Sequence, residues 1–299
     1  MRLLIPLGIA VLIAAPAAAQ GQQDFSKVEI TTTKISNNFV ALDGQGGRIG
    51  VLYGPDGIFM VDSQFAPLSE KIMAAIRKVS DQKIRFLVNT HVHGDHTGGN
   101  ENFGKAGATI VARPMLKQRL IKPNPPANGG QAPAGAPAAA IPGYVIDERT
   151  RMTMDGETID LIPLPVAHTD GDTAVKFVKN DVLMTGDVFR SEGMPAAAIT
   201  NGGSVLGILK CIDLFLQISD ANTKVVPGHG PVANRDALVF HRQVLVTVRD
   251  RVAKAKAEGK TLEEVQAMKP TAEFDQKVGG PPAFIPQFVA TLYNELPAR

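Results

Sequence analysis

Thr90-His91-Val92-His93-Gly94-Asp95-His96-Thr97-Gly98-Gly99-Asn100 carries three of the chain's six histidines and an aspartate within six consecutive positions. In an extended segment, residues two apart point the same way, so His91 and His93 can reach one ion; the turn that Gly94 permits swings Asp95 and His96 toward a second position. Imidazole nitrogen and carboxylate oxygen are suitable zinc ligands, and a four-coordinate catalytic zinc takes about three of them and keeps one position open for water. Each pair in the loop is therefore one ligand short.

The missing ligands must come from elsewhere in the chain. His168 lies in Pro165-Val166-Ala167-His168-Thr169-Asp170-Gly171-Asp172, and His229 in Val226-Pro227-Gly228-His229-Gly230. Both are glycine- or proline-marked turns after apolar strands, where side chains converge at a sheet edge. Asp187, in Met184-Thr185-Gly186-Asp187, has the same setting and is placed to bridge two ions. The sixth histidine, His241, falls in a helical tail and adds nothing to a filled ligand set.

In order and over nearly the whole chain these residues resemble the metallo-β-lactamase superfamily. The resemblance rests on the His-x-His-x-Asp-His loop, the later His168, the Thr-Gly-Asp187 turn and the Pro-Gly-His229 turn. It implies an α/β fold, a four-layer αβ/βα sandwich with a dinuclear site at one edge of its two sheets. It also implies that His91, His93 and His168 hold one zinc, that Asp95, His96 and His229 hold the other, and that Asp187 touches both. Nitrogen and carboxylate ligands also accept iron or manganese.

Two divalent ions about 3.5 to 4 Å apart can share a water and lower its pKa, so that a metal-bound hydroxide attacks a carbonyl without a Ser or Cys nucleophile. Asp95 would orient that water or relay its proton. Arg190, three residues after Asp187, could pair with a substrate carboxylate, and Asn201, before Gly202-Gly203, could donate to a developing oxyanion. Their bland readings are a surface cation and a turn residue. Asp62 is either a buttress of the metal loop or an ordinary strand-end residue; Asp170 and Asp172 either fix the loop around His168 or are solvated acids.

The expected partner is a small molecule with a hydrolysable carbonyl. β-Lactam ring opening leads, lactone or thioester hydrolysis comes next, and a periplasmic zinc-binding accessory protein without turnover is the reading from another class. Asp187 weighs against a strict lactamase assignment, because the zinc β-lactamases it resembles usually carry Cys or Ser at that turn, whereas thioesterases such as glyoxalase II carry Asp.

Composition agrees with an ordinary soluble globular protein: 299 residues, 44% hydrophobic and 20% charged. With 31 basic and 29 acidic residues the formal charge is +2, too balanced to suggest nucleic acid or a membrane surface. Met1-Arg2, an apolar run over 3–15 and Pro16-Ala17-Ala18-Ala19 read as a secretory signal peptide over 1–19. The mature domain, 20–299, is then periplasmic or secreted, free of the membrane after cleavage, and expected to be a monomer; an uncleaved anchor is the rival reading. The single cysteine, Cys211, lies on an apolar helical face with Val205, Ile208, Ile212 and Phe215 and reads as buried.

Alternation of apolar residues predicts strands over 28–35, 39–42, 49–53, 58–61, 84–88, 109–112, 158–162, 173–178, 181–184 and 224–226. Helical spacing is predicted over 68–79, 115–121, 205–215, 234–257 and 261–268, the last opened by a Thr261-x-x-Glu264 capping box. The segment 122–142 is too rich in Pro, Ala and Gly for a regular element and is either a mobile surface insertion or a flap over the site. The order of elements suggests two similar halves packed face to face in one domain.

Overall fold

Phe39 and Val40 are neighbours in one strand yet serve different cores, which shows how the layers are built. Side chains alternate along a strand, so Phe39, Leu52, Phe59, Val61 and Val88 face a second sheet, while Val40, Val51, Ile58, Met60 and Leu87 face helices on the other side. Strands buried on both faces read as continuous apolar runs. The computed structural model describes residues 24–126, 130–280, 282 and 284–297; the leader at 1–19 lies outside them.

The first sheet has seven strands in sequence order: β1 (Thr31–Ser36), β2 (Phe39–Asp43), β3 (Ile49–Gly54), β4 (Gly57–Val61), β5 (Ile84–Val88), β6 (Thr109–Ala112) and β7 (Tyr144–Val145). It is antiparallel through β4 and parallel from β4 onward. Its outer face is covered by α1 (Ser69–Arg77) and α3 (Asn100–Lys105), through Ile72, Ile76 and Phe103. Between β5 and α3 stands the single turn α2 (Gly94–Thr97), and α4 (Pro114–Ile121) follows β6.

The second sheet runs β12-β11-β10-β9-β8, with β8 (Thr150–Met154), β9 (Glu157–Pro163), β10 (Thr173–Phe177), β11 (Val182–Gly186) and β12 (Lys224–Pro227). Its inner face brings Ile159, Val175, Phe177 and Met184 against the first sheet, where the Phe177 ring sits 4.6 Å from Phe39 and 5.8 Å from Phe59. Its outer face packs on α5 (Val205–Gln217), α6 (Arg235–Ala257), α7 (Leu262–Ala267), α8 (Ala272–Val278) and α9 (Phe284–Glu295). Helix, sheet, sheet, helix is the four-layer sandwich expected.

Several boundaries differ from the expectation. β1 starts at Thr31, not 28, because its partner β2 ends at Asp43, which pairs with Thr31; Val28 and Ile30 pack on the outer core instead. In the 122–142 segment a 3-10 turn, Ala138–Ala140, lies against α3, where the Ala140 carbonyl accepts from Asn100 Nδ2 at 3.2 Å. Cys211 is fully buried, and burial pushes its thiol up to about 12. No helix among the described residues is long and apolar enough to cross a membrane.

Buried His241 on α6 stacks edge-on against Phe189 at 4.9 Å. Burial lowers its pKa to about 4, against about 6.5 in an unfolded chain. Below pH 6.5 the unfolded state takes up a proton that the folded state refuses, so this contribution is complete above pH 6.5 and is lost as pH falls toward 4. The loss reaches on the order of 3 kcal/mol. His241→Leu should therefore flatten the fall in urea-unfolding stability between pH 6.5 and 4; a slope equal to that of the unmutated chain would show that the ring is not responsible.

Candidate metal centre

The carboxyl ends of four strands meet at one edge of the sandwich. β4 and β5 run parallel with Val61 opposite Val88, and β11 and β12 run parallel with Gly186 opposite Pro227. Asp62 follows β4, the His91 loop follows β5, Asp187 follows β11 and Gly228-His229 follows β12. The Thr173 amide, at the start of β10, donates to the Thr90 carbonyl at 2.8 Å and ties the two sheets together at this edge. The loop between β9 and β10 delivers His168 to the same place. All seven expected ligands thus converge, in three overlapping groups able to hold a metal: His91, His93 and His168; His91, His96 and Asp187; Asp95, His96 and His229.

Each imidazole of the loop, and His168, has one nitrogen tied down and the other aimed into the cluster. Thr90 Oγ1 donates to Asp62 at 2.7 Å and lies 3.1 Å from His91 Nδ1, which leaves His91 Nε2 facing inward. His93 is reversed: its Nε2 is 3.3 Å from Asn201 Oδ1, while its Nδ1 sits 3.1 Å from His91 Nε2 and 3.0 Å from His168 Nε2. His168 Nδ1 donates to the Ala196 carbonyl at 2.5 Å, and His96 Nδ1 to Asp62 Oδ2 at 2.7 Å. Such outer partners fix the tautomer and ring orientation of metal-binding histidines.

The carboxylates complete the arrangement. Asp187 places Oδ1 3.3 Å from His96 Nε2 and Oδ2 3.3 Å from His229 Nε2 and 3.8 Å from His168 Nε2, so one side chain touches both ends of the cluster. Asp95 Oδ2 is 3.1 Å from His229 Nε2 and 3.6 Å from His96 Nε2. His96 is fully buried, whereas Asp95 and His229 are about a quarter exposed and mark the open side.

Protonation follows position. Burial, reinforced by neighbouring imidazoles, pulls His91 well below the usual histidine range and His93 down to about 4, and burial also lowers His168. These three offer lone pairs. On the other side burial opposes charge but is outweighed: Asp62 and Asp187 raise His96 well above its ordinary value, hydrogen bonds to Asp187 and Asp95 bring His229 to about 9, and the facing imidazoles hold Asp187 well below the carboxylate range.

His96 Nε2 and Asp187 Oδ1 are buried and face each other at 3.3 Å without an aligned hydrogen bond. Orphaned buried groups of this kind call for a ligand. A donor set of neutral imidazoles at one end and carboxylates at the other suits divalent cations of the zinc type.

Two features of the cradle escaped the sequence reading. A Cβ on Gly47 would lie 2.2 Å from the His96 ring, and one on Gly228 would lie 2.1 Å from Asp187 Oδ1. The glycine run over 44–47 was a visible sign of close backbone approach. Arg48 reinforces it, its backbone amide donating to the Gly228 carbonyl at 2.8 Å and its Nη1 to the Gly230 carbonyl at 2.8 Å.

Among the residues read as ambiguous, Asp62 is a buttress: Oδ1 accepts from the Thr90 amide at 2.7 Å, and Oδ2 accepts from Thr90 Oγ1 and His96. Asp172 is buried and takes the Thr169 amide and hydroxyl at 2.8 and 2.6 Å, and Asp170 pairs with Arg119. Arg190 has Nη1 3.8 Å from Asp187 Oδ2 and lies over the Phe284 ring, with a fifth of its side chain exposed.

Residues 43–234 match the family model described as the metallo-beta-lactamase superfamily. The chain belongs to that superfamily. A beta-lactamase-like protein 2 homolog of Caenorhabditis elegans is 26% identical over 192 residues, 61% of this chain and 57% of that one. A hydroxyacylglutathione hydrolase of Polaromonas is 26% identical over 180 residues, 59% of this chain and 60% of that one. The chain thus spans less than two thirds of the length of these curated relatives. Among solved structures, a metallo-beta-lactamase from Pontibacter korlensis superposes with a TM-score of 0.61 at 18% identity, covering 73% of this chain and 99% of that one. Membership in the superfamily agrees with the convergent site and the sandwich; the structural likeness concerns the fold alone.

Proposed function

We propose that this chain is a dizinc hydrolase that adds water at a carbonyl carbon of a small molecule and breaks its bond to the departing nitrogen, oxygen or sulfur, with β-lactam ring hydrolysis the leading activity. The observation that carries the reading is the convergence of His91, His93, His168, Asp95, His96, His229 and Asp187 on one strand-end edge, with His96 Nε2 and Asp187 Oδ1 left unpartnered. His91, His93 and His168 would hold one zinc, Asp95, His96 and His229 the second, and Asp187 both. When bound, zinc supplies Lewis acidity that activates water near neutral pH and polarises the substrate carbonyl.

The protein's own groups supply the rest. Asp95, on the open side and 3.1 Å from His229 Nε2, is placed to orient the attacking water and take its proton. Asn201 accepts from His93 Nε2 at its Oδ1 and keeps its NH2 group for the substrate oxygen. Arg190 offers a cation to a substrate carboxylate. Export through the leader at 1–19 is part of the same proposal, since it would put the site where antibiotics are met.

Thioester hydrolysis is the second reading, favoured by Asp187 and by the hydroxyacylglutathione hydrolase among the relatives. A chromogenic cephalosporin, an acyl-homoserine lactone and a generic thioester, each assayed with and without chelator on metal-quantified protein, separate the readings. We expect near two zincs per chain and turnover of the cephalosporin that chelation abolishes and zinc restores. Turnover of the thioester alone would move the assignment to the second reading. No turnover of any of the three would remove the carbonyl-hydrolase proposal.

A further inference from the structure

Asn201 stands at the end of a run of polar contacts that begins on α4. The Arg119 guanidinium grips Asp170 with both prongs, Nε to Oδ1 at 2.7 Å and Nη2 to Oδ2, and both side chains are largely buried. The Asp170 amide donates to the Asn201 carbonyl at 3.0 Å. Gly202 follows with φ +74°, and a Cβ there would lie 2.8 Å from Asp170 Oδ2, so the carboxylate packs directly on the turn. From the other side, Asn124, in the first residues of the Pro/Ala/Gly-rich segment, donates from Nδ2 to the Thr200 carbonyl.

The turn does not need these contacts to exist. It is closed by its own bonds, Asn201 amide to Ala198 carbonyl at 2.8 Å and Gly203 amide to Ala198 carbonyl at 3.0 Å, and its ends are fixed by Ala198 amide to His168 carbonyl at 2.8 Å and Ser204 amide to Ala167 carbonyl at 2.7 Å. What these bonds leave to be set is the orientation of the tip that carries the Asn201 side chain. A largely buried ion pair adds little net stability once desolvation is counted, but a two-pronged Arg–carboxylate contact fixes orientation. Orientation is what the tip lacks.

We infer that Arg119, Asp170 and Asn124 are positioning residues that clamp this tip, holding Asn201 Oδ1 on His93 Nε2 and its NH2 group ready for substrate. The clamp ties α4 and the start of the Pro/Ala/Gly-rich segment to turnover. This inference rests on the hydrolytic reading of the site for its catalytic consequence, but not for its structural part.

Two measurements on the full chain test it. By hydrogen exchange, the Asp170 amide, which donates to the Asn201 carbonyl at the tip, should exchange about tenfold faster in Arg119→Ala and in Asn124→Ala, with the amides of β9 to β11 unchanged. In steady state, Arg119→Ala should lower kcat about tenfold with KM within about twofold, and Arg119→Lys should recover part of the loss. In an Asn201→Ala background the same Arg119→Ala change should cost less than about twofold, because both act through one side chain.

Unchanged exchange of the Asp170 amide would overturn the clamp. An Arg119→Ala loss that persists undiminished without the Asn201 side chain would overturn its catalytic role. If Arg119→Ala does not fold, Arg119→Lys and Asp170→Asn carry both measurements. If no substrate in the panel is turned over, it is the hydrolytic reading that fails, and the exchange result still decides the clamp.

Discussion

Asp187→Asn should leave a folded protein with about one zinc per chain and kcat/KM lowered on the order of 10³-fold, equivalent to about 4 kcal/mol of transition-state stabilisation. The size follows from where the carboxylate sits. It faces His96 with one oxygen and His229 and His168 with the other, so its loss removes a carboxylate common to both ends of the cluster and the negative charge that balances His96 and His229. An amide keeps the shape and not the charge. Asp187→Cys, which restores an anionic donor but with one shorter-reaching atom in place of two, should recover the second zinc and part of the activity. Metal analysis alongside kinetics separates this from simple unfolding, and an Asp187→Asn protein with two zincs and unchanged turnover would remove Asp187 from the centre.

Residues that announce themselves by chemistry were the legible ones. The seven clustered side chains could be read because imidazoles and carboxylates were crowded into turns that end apolar strands, and the strands because burial on both faces makes continuous apolar runs such as Ile58 to Val61. Elements held by tertiary context stayed hidden. β7 is two exposed residues added to a sheet edge, and β8 exposes Arg151 to pair with buried Asp160 at 2.6 Å. α9 carries Pro286 in its first turn, where a missing N–H costs nothing, although the residue looks like a breaker in sequence.

The same division runs through the site. Asp62 and the Ala196 carbonyl hold the His96 and His168 rings from 34 and 28 positions away, the second through a backbone atom, and Thr90 holds His91 through a hydroxyl whose direction is set by distant Asp62. Asn201 was noted for a turn beside Gly202; that its amide oxygen would fix the His93 tautomer depends on the β11–α5 connection folding back over the His168 loop. Spacing carries information about neighbours in the chain, and apart from Thr90 beside His91 these contacts are not between neighbours.

Asp62→Asn should lower metal affinity of the Asp95, His96, His229 group by about 10- to 100-fold, as loss of an outer partner of a metal histidine typically does, and should reduce kcat/KM to match at limiting zinc. Asp62 is buried and accepts three hydrogen bonds, from the Thr90 amide, the Thr90 hydroxyl and His96 Nδ1. An amide has one oxygen for that work, so its NH2 group must face at least one of these donors. The orphaned donor costs about 1 to 3 kcal/mol of stability, and a His96 ring freed to rotate no longer presents Nε2 inward. Backbone conformation does not confound the test: residue 62 has φ +64°, a region that asparagine tolerates nearly as well as aspartate, whereas alanine would add strain. Excess zinc should restore most of the lost rate without restoring the melting temperature of the metal-free protein, because mass action refills a weakened site but does not rebuild the buried hydrogen bond. A variant that binds two zincs with unaltered affinity would show that the His96 ring is held by packing against its neighbours and that Asp62 is, after all, an ordinary strand-end residue.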